Sequence, residues 1–506
     1  MKSFEKMGTW FLPKTPDKKV SGQLIFSSDQ RPKLNLFGEL SSLSIQQKLE
    51  STTEYSIIHG YLIDNNGESD KVTLCNCTQK NGFKTGIQTS LIYIEYILKG
   101  YHFSSLDEIS FTGINVKYTH LEEWVNLPNA SIECTPHENK KEIFREINFK
   151  QKVNEPIEIA KLNDCSIIII DQPWISLQNI QYSSFLGWNS REISLKEQKS
   201  ILIKSQELKK LSDLLDIAHL IQQFLTFSCS QMILLSEITT YVIGKTPELQ
   251  YLSNDFSDDD YKLVEVEKPF YIEMYYQISS PLMNQQSFDI DKILFKFTDI
   301  QGESNIVLEK WEDIQKNLEP IIQLYLGLYY LPTRYRNDLF LTLAQAIEGF
   351  HRFYYGGKYC DKNTFKKIRK ELGKTFLDEL KVKENEIDQS YRESLLSKIN
   401  YWNEYSLRER LEDLLSSDDF NNCLPDNFFV PDEDKKNFIN QVKDTRNSLT
   451  HPSSDLSDKS KKSKYITSGK ELDKLIRKLK IILDICLLQS LGIDSSSIKL
   501  IISRRL

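Results

Sequence analysis

The chain has 506 residues, 40% of them hydrophobic and 27% charged, with a formal net charge of −7. That composition excludes a disordered or low-complexity chain and leaves length for more than one packed domain, and the negative balance speaks against a generic polyanion binder. No apolar run reaches the roughly 18 residues of a membrane span and no apolar signal core follows the first residues, so a cytoplasmic location is expected, with no membrane contact. Cysteines 75, 77, 134, 165, 229, 360, 423 and 486 are scattered, which suits buried thiols in a reducing compartment; no metal site and no cofactor are expected.

In chain order, residues 1 to about 200 read mostly as strands. Gln23-Leu24-Ile25-Phe26, Lys33 to Phe37, Tyr55 to Ile63, Leu91 to Leu98, Ser110 to Tyr118, Ile143 to Phe149 and Ser166 to Asp171 are alternating or β-branched runs. Turn formers such as Asn65-Asn66-Gly67 and Asn81-Gly82 separate them. Strands so closely spaced predict an antiparallel sandwich or barrel-like unit. From about 196 the period changes: Leu211, Leu214, Leu215, Ala218, Ile221 and Leu225 fit an amphipathic helix, giving a helical insert over about 196–245. Strand-like patterning returns over 263–299, and residues 230–300 carry no motif that can be placed.

Trp311 to Tyr330 reads as a helix kinked at Pro320, and after Leu331-Pro332 the chain is almost wholly helical. Leu339, Leu343, Ala346, Ile347 and Phe350 form one stripe, ended by Gly356-Gly357. Further helices are expected at 362–381, 384–416 and 433–450, and a last one opens on the capping box Ser468-Gly469-Lys470-Glu471 and ends at Gly492. The expected fold class is therefore α+β and multidomain, a β-rich N-terminal region with some helices followed by an all-α bundle. From residue 331 onward there are 32 Lys and Arg against 27 Asp and Glu, so the basic balance lies in the helical part.

The helix at 433–450 ends in Asp444-Thr445-Arg446-Asn447-Ser448-Leu449-Thr450-His451-Pro452. Phe438, Val442, Thr445 and Leu449 form a seam toward the bundle, with Asn447 opposite and Arg446 on the shoulder. On an ideal helix Arg446 and His451 stand about 140° apart. Pro452 pushes the residue before it out of the α region, so His451 is expected to leave the helix and turn its imidazole toward Arg446 and Asn447. A permanent cation, a polar amide and an imidazole suit metal-free RNA cleavage. The pattern alone also fits an exposed arginine and a histidine favoured by the C-terminal helix dipole.

Arg446-Asn447 followed by His451 resembles the R-x(4–6)-H signature of HEPN domains, helical ribonucleases of prokaryotic defence and toxin systems. Trp10-Phe11-Leu12-Pro13, then Asp17-Lys18-Lys19-Val20-Ser21-Gly22, resembles the start of the N-terminal domain of ApeA-type abortive-infection proteins. Gln345-Ala346-Ile347-Glu348-Gly349-Phe350-His351-Arg352 resembles the opening helix of the ApeA-like HEPN domain.

The resemblance implies an N-terminal domain over 1–325 that senses infection or restrains the nuclease, and a HEPN ribonuclease domain over 326–506. It implies attack of an RNA 2′-hydroxyl on its own phosphate, leaving a 2′,3′-cyclic phosphate and a 5′-hydroxyl. His451 would be general acid or base, Arg446 would stabilise the phosphate charge, and Asn447 would orient either. Glu348 is a candidate supporting residue and equally a surface ion pair with Arg352, while His351 is expected to pack or stay solvated rather than react. Lys443 and the loop lysines Lys459, Lys461, Lys462 and Lys464 are candidate RNA contacts. One histidine can hardly serve as base and acid in one step, so a homodimer or higher even oligomer is expected. The other implied partners are host RNA, with tRNA foremost, and a phage-derived trigger. Rival readings are a catalytically inactive HEPN module that binds nucleotide or RNA, and the toxin of a toxin–antitoxin pair.

Overall fold

Near the N-terminus six strands close on themselves. They are β1 (Phe4–Phe11), β2 (Val20–Ser27), β3 (Gln30–Leu36), β4 (Thr52–Ile63), β5 (Ser69–Lys80) and β6 (Ser90–Tyr93), all paired antiparallel in the ring order β1-β2-β3-β6-β5-β4. The computed structural model describes residues 3–40, 52–63, 69–80, 89–128, 130–136, 144–151, 154–172, 181–185, 188–192, 198–251, 261–277, 287–331, 335–382, 391, 394, 397–429, 432–451 and 466–505. The turn formers at 65–67 and 81–82 and the lysine loop at 459–464 lie outside them.

Alternation drives the closure. Leu24 and Phe26 of β2, Leu34 and Leu36 of β3, Ile58 of β4 and Val72 and Leu74 of β5 all point inward. The largest interior side chain is Trp10, whose Nε1–H donates to the Gly22 carbonyl at 3.2 Å. A Cβ on Gly60 would stand 2.2 Å from Trp10 Cε3, so only glycine admits the indole there.

From β5 the sheet continues outward through β7 (Tyr96–Lys99). The following strands are β8 (Ser110–Tyr118), the hairpin β9 and β10 (Ala130–Pro136, Phe144–Gln151), β11 (Ile157–Leu162) and β12 (Cys165–Gln172). Then come the hairpin β13 and β14 (Gln181–Phe185, Trp188–Glu192), β15 (Gln198–Lys210), β16 (Leu235–Tyr251) and β17 (Tyr261–Tyr276). The outer order is β7-β17-β16-β8-β15-β12-β11, again antiparallel. Short helix α1 (Leu121–Val125) and longer α2 (Leu211–Cys229) pack on it, and α3 (Phe297–Ile300) follows.

This is the barrel-like antiparallel unit expected from the sequence. The helical insert expected over about 196–245 is narrower, however: only α2 is helical, flanked by β15 and β16. Ile201 and Ile203 alternate into the core of β15, and the β-branched run Ile238-Thr239-Thr240 favours a strand in β16. Among the described residues of the stretch 263–299, strand likewise runs only as far as Tyr276, within β17. At the outer edge Lys199 Nζ lies 2.6 Å from Asp171 Oδ1, both buried, and Asn154 Nδ2 donates to the same carboxylate at 2.7 Å.

The chain divides into a unit Met1–Glu309 and a unit Lys310–Leu506. The second is helical: α4 (Ser304–Tyr330), α5 (Arg336–Tyr354), α6 (Lys362–Val382), α7 (Leu407–Ser416), α8 (Asp418–Asn421), α9 (Asp432–Thr450), α10 (Gly469–Ser490) and α11 (Ser495–Ser503). Leu318 (φ −119, ψ 22) breaks the helical path of α4 just before Pro320, as proline's missing N–H and ring clash demand. Of the helix expected over 384–416, the described residues 391, 394, 397 and 398 are helical, but the path is interrupted before Leu407, where Ser406 and Glu409 form a capping box and start α7. Ahead of it stands the 3-10 turn Ile399–Tyr401; residues 383–390 lie outside the described ones.

The second half of α10, Ile481 to Leu488, is buried all round and packs against α5. Asp484 is buried there and is answered by Tyr325 Oη at 2.6 Å, Lys480 Nζ at 2.9 Å and Arg505 Nη1 at 2.8 Å. Burial and the neighbouring carboxylate push the Tyr325 phenol well above its ordinary pKa, so it donates to Asp484.

Candidate active site

The site is set by which face α9 buries. Phe438, Val442 and Thr445 are buried toward α5 and α7, and Thr445 Oγ1 accepts the Thr467 N–H at 3.1 Å, tying the end of α9 to the start of α10. With that face fixed, Arg446 and Thr450, one turn apart, come to line a cavity of about 520 Å³. Its walls are Pro320, Ile321 and Leu324 of α4, Leu407 of α7, and one face of α5. Proline kinks the wall helix beside the opening, so the sequence signal at Pro320 and the cavity share a cause.

The α5 face comprises Leu341, Ala344, Gln345, Glu348, Gly349 and Arg352, the i, i+3, i+4, i+7 progression of one helix side. Leu343, Ala346, Ile347 and Phe350 lie on the other side, in the core. Glu348 Oε1 lies 3.4 Å from Arg352 Nη2, which also reaches Glu404 Oε2 at 3.0 Å. Glu348 is thus both a cavity residue and half of an ion pair.

Arg446 and Glu348 are brought together on this cavity; the other candidates stand elsewhere. Arg446 is half-buried and its Nη1 donates to Asn447 Oδ1 at 3.3 Å. Asn447 itself is exposed. His451 is exposed just past the last helical residue, and its N–H still donates to the Asn447 carbonyl at 2.9 Å. It is not among the residues that line the cavity. Pro452 and the lysines at 459, 461, 462 and 464 lie outside the described residues, and Lys443 pairs with Asp444 at 2.9 Å.

The C-terminal end of α5 is anchored by a buried polar cluster. His351 Nε2–H donates to Asp413 Oδ2 at 2.8 Å, and Arg410 Nη1 donates to His351 Nδ1 at 3.2 Å. Burial holds the His351 pKa below its ordinary value; Asp413 opposes this and Arg410 adds to it. The ring is therefore a neutral, fixed tautomer, which is a packing role. Arg410 also donates to the Tyr405 and Gly356 carbonyls. Gly357 (φ +69) passes so close that a Cβ would stand 2.8 Å from Arg410 Nη1.

Gln345, Arg352 and Thr450 are cavity residues that motif reading does not single out. Their signal was available: Gln345 and Arg352 share the helical side of Glu348, and Thr450 lies one turn after Arg446. Among the described residues no group of three or more His, Cys, Asp or Glu could hold a metal ion, and no helix is long and apolar enough to cross a membrane.

A family model described as ApeA N-terminal domain 1 matches residues 5–311, more than half of the chain. The chain belongs to the ApeA family. A second model, described as Apea-like HEPN, matches residues 341–497, from within α5 to within α11. The ApeA N-terminal match therefore spans the barrel and its extended sheet, and the HEPN match spans most of the cavity walls and all of α9. ApeA and HEPN membership makes this an anti-phage defence type of protein with a HEPN domain, a domain family whose members are generally ribonucleases. No curated protein and no solved structure matches it.

Proposed function

We propose that this protein is a metal-independent endoribonuclease that halts growth on infection by cutting host RNA, with tRNA as the foremost substrate. The observation that carries the reading is Arg446, lining a cavity most of whose walls fall in the HEPN-matched region, while His451 stands exposed five residues beyond it. In this reading a base withdraws the 2′-hydroxyl proton, the 2′-oxygen forms a bond to phosphorus, and the bond to the 5′-oxygen breaks as that oxygen takes a proton from an acid. Arg446 stabilises the extra negative charge on the phosphate oxygens, as a fixed guanidinium does for phosphates elsewhere. His451 supplies one proton-transfer role, and His451 of a second copy supplies the other. The β-rich unit acts as sensor or restraint, released by a phage-derived trigger.

The test is phage challenge of cells carrying wild type, Arg446→Ala or His451→Ala. Protection by wild type and its loss in both variants is expected; full protection by both variants contradicts the reading. The rival, a catalytically silent module that binds RNA or nucleotide, draws on one observation: His451 does not line the cavity that Arg446 lines. Purified protein that binds RNA tightly without cutting it would favour that rival.

A further inference from the structure

Apart from half-buried Phe365 and Gly373, helix α6 is exposed from Lys362 to Thr375, and its residues are sorted by charge. Between Lys362 and Lys374 it carries six cations against one acid, Glu371. At about 100° per residue, Lys362, Lys366, Lys367, Arg369, Lys370 and Lys374 fall within one arc of about 160°, and Glu371 lies outside it. Among the described residues no carboxylate forms an ion pair with Lys366 or Lys370. A charge run of this kind is more than a solvated face when something beside it can read a polyanion.

That second feature is present. The α6 helix packs beside the turn Ile399–Tyr401, which displays Tyr401 (71% exposed) and Trp402 (58% exposed), and Tyr359 stands just before α6 (56% exposed). These rings are held, not loose. The Asn403 side chain bonds both the Cys360 N–H at 3.0 Å and the Cys360 carbonyl at 2.9 Å, and the Tyr359 N–H donates to the Asn403 carbonyl at 3.2 Å. The nearby acids are already engaged: Glu404 by Arg352 at 3.0 Å, and Glu409 by Tyr359 Oη.

We propose that the basic face of α6 and the aromatic platform of Tyr359, Tyr401 and Trp402 form a track for single-stranded RNA. The cations follow the phosphates and the rings stack the unpaired bases, a pairing of features that suits single strands without base-specific contacts. The proposal rests on the reading that this protein acts on RNA, but binding tests it independently of cleavage.

The experiment uses the full chain carrying His451→Ala, in EDTA, and follows fluorescence anisotropy of a labelled unstructured oligouridylate as salt is varied. Lys366→Glu/Lys370→Glu is expected to weaken binding at least tenfold and to lower the salt slope by about 1.4, two contacts at about 0.7 each for single strands. Trp402→Ala is expected to weaken binding about tenfold with the salt slope kept. The milder Lys366→Gln/Lys370→Gln, which keeps helix-forming residues at exposed positions, is expected to give the same slope change. Unchanged affinity in these variants overturns the proposal, as does loss of binding to anionic phospholipid vesicles with RNA binding intact. If wild type cuts no RNA yet these binding results hold, the nuclease reading fails and the track stands.

Discussion

Arg446 of α9 and Glu348 of α5 line the same cavity from helices far apart in sequence, and Glu348 is already shared with Arg352 at 3.4 Å. Among the described residues the guanidinium of Arg446 meets an amide oxygen, Asn447 Oδ1 at 3.3 Å, and no carboxylate, so its charge is available to an incoming phosphate. Arg446→Ala is therefore expected to slow RNA cleavage by about 10²–10³-fold, the scale of removing one charge-stabilising donor. Because the side chain is half-buried and, among the described residues, pairs with no carboxylate, stability is expected to change by no more than about 1 kcal/mol. Arg446→Lys should recover only part of the rate, since a point charge replaces a planar fork. Single-turnover rates and thermal melts on the same preparations check both halves.

His351 gives the helical unit a pH dependence whose sign is fixed by its burial. The folded-state pKa is depressed, so as pH falls below about 6.5 the unfolded chain takes up a proton that the folded chain refuses. Its stabilising contribution is complete above that pH and declines as pH drops toward the lower folded value. Melting curves between about pH 7.5 and 5.5 should show this loss, and His351→Gln should flatten the slope while lowering the melting temperature overall. An unchanged slope in the variant would mean that the ring is not held neutral.

In the β-rich unit, Lys199 and Asp171 form a buried pair at 2.6 Å. Burial alone raises the Asp171 pKa, but the hydrogen bonds from Lys199 and Asn154 outweigh it and hold the carboxyl below its ordinary range. Lys199→Met strands a buried carboxylate and is expected to cost about 3–5 kcal/mol, whereas Asp171→Leu/Lys199→Met should recover most of that loss. Chemical denaturation of the two variants separates these outcomes.

The barrel core makes a stricter claim about size. With a Cβ at position 60 only 2.2 Å from the Trp10 ring, Gly60→Ala should destabilise the barrel by about 3 kcal/mol or more. Gly60→Ala combined with Trp10→Phe should cost less than the sum of the single changes, because the smaller ring makes room. Additive losses would place the strain elsewhere.

Much of this fold was legible in the sequence because its signals are local. Alternation in β2, β3 and β4 announces strands, Pro320 announces the kink at Leu318, and the Phe438, Val442, Thr445 spacing announces the buried side of α9. Long-range pairing was not legible. Leu91 to Leu98 reads as one strand but is two, parted at Ile94-Glu95, because β6 pairs with β3 in the barrel while β7 pairs with β17 in the open sheet. Ile238, Thr239 and Thr240 carry a local strand signal, but that β16 lies between β8 and β17 could not be read from it. At the site, Arg446 and Glu348 were named from motif and resemblance; Gln345 and Arg352 share Glu348's side of α5, but the cavity they line exists only once α4, α7 and α9 are in place. His351 is not expected to react, but the sequence could not name the Arg410 and Asp413 partners that fix its ring in the core.

The central claim, that Arg446 and His451 cut RNA through its own 2′-hydroxyl, is tested most directly by the chemistry of the ends. RNA from phage-infected cells carrying wild type should bear new 2′,3′-cyclic phosphates and 5′-hydroxyls, and these ends should be missing in cells carrying Arg446→Ala or His451→Ala. Cleavage that persists in both variants, or ends bearing 5′-phosphates, would contradict it.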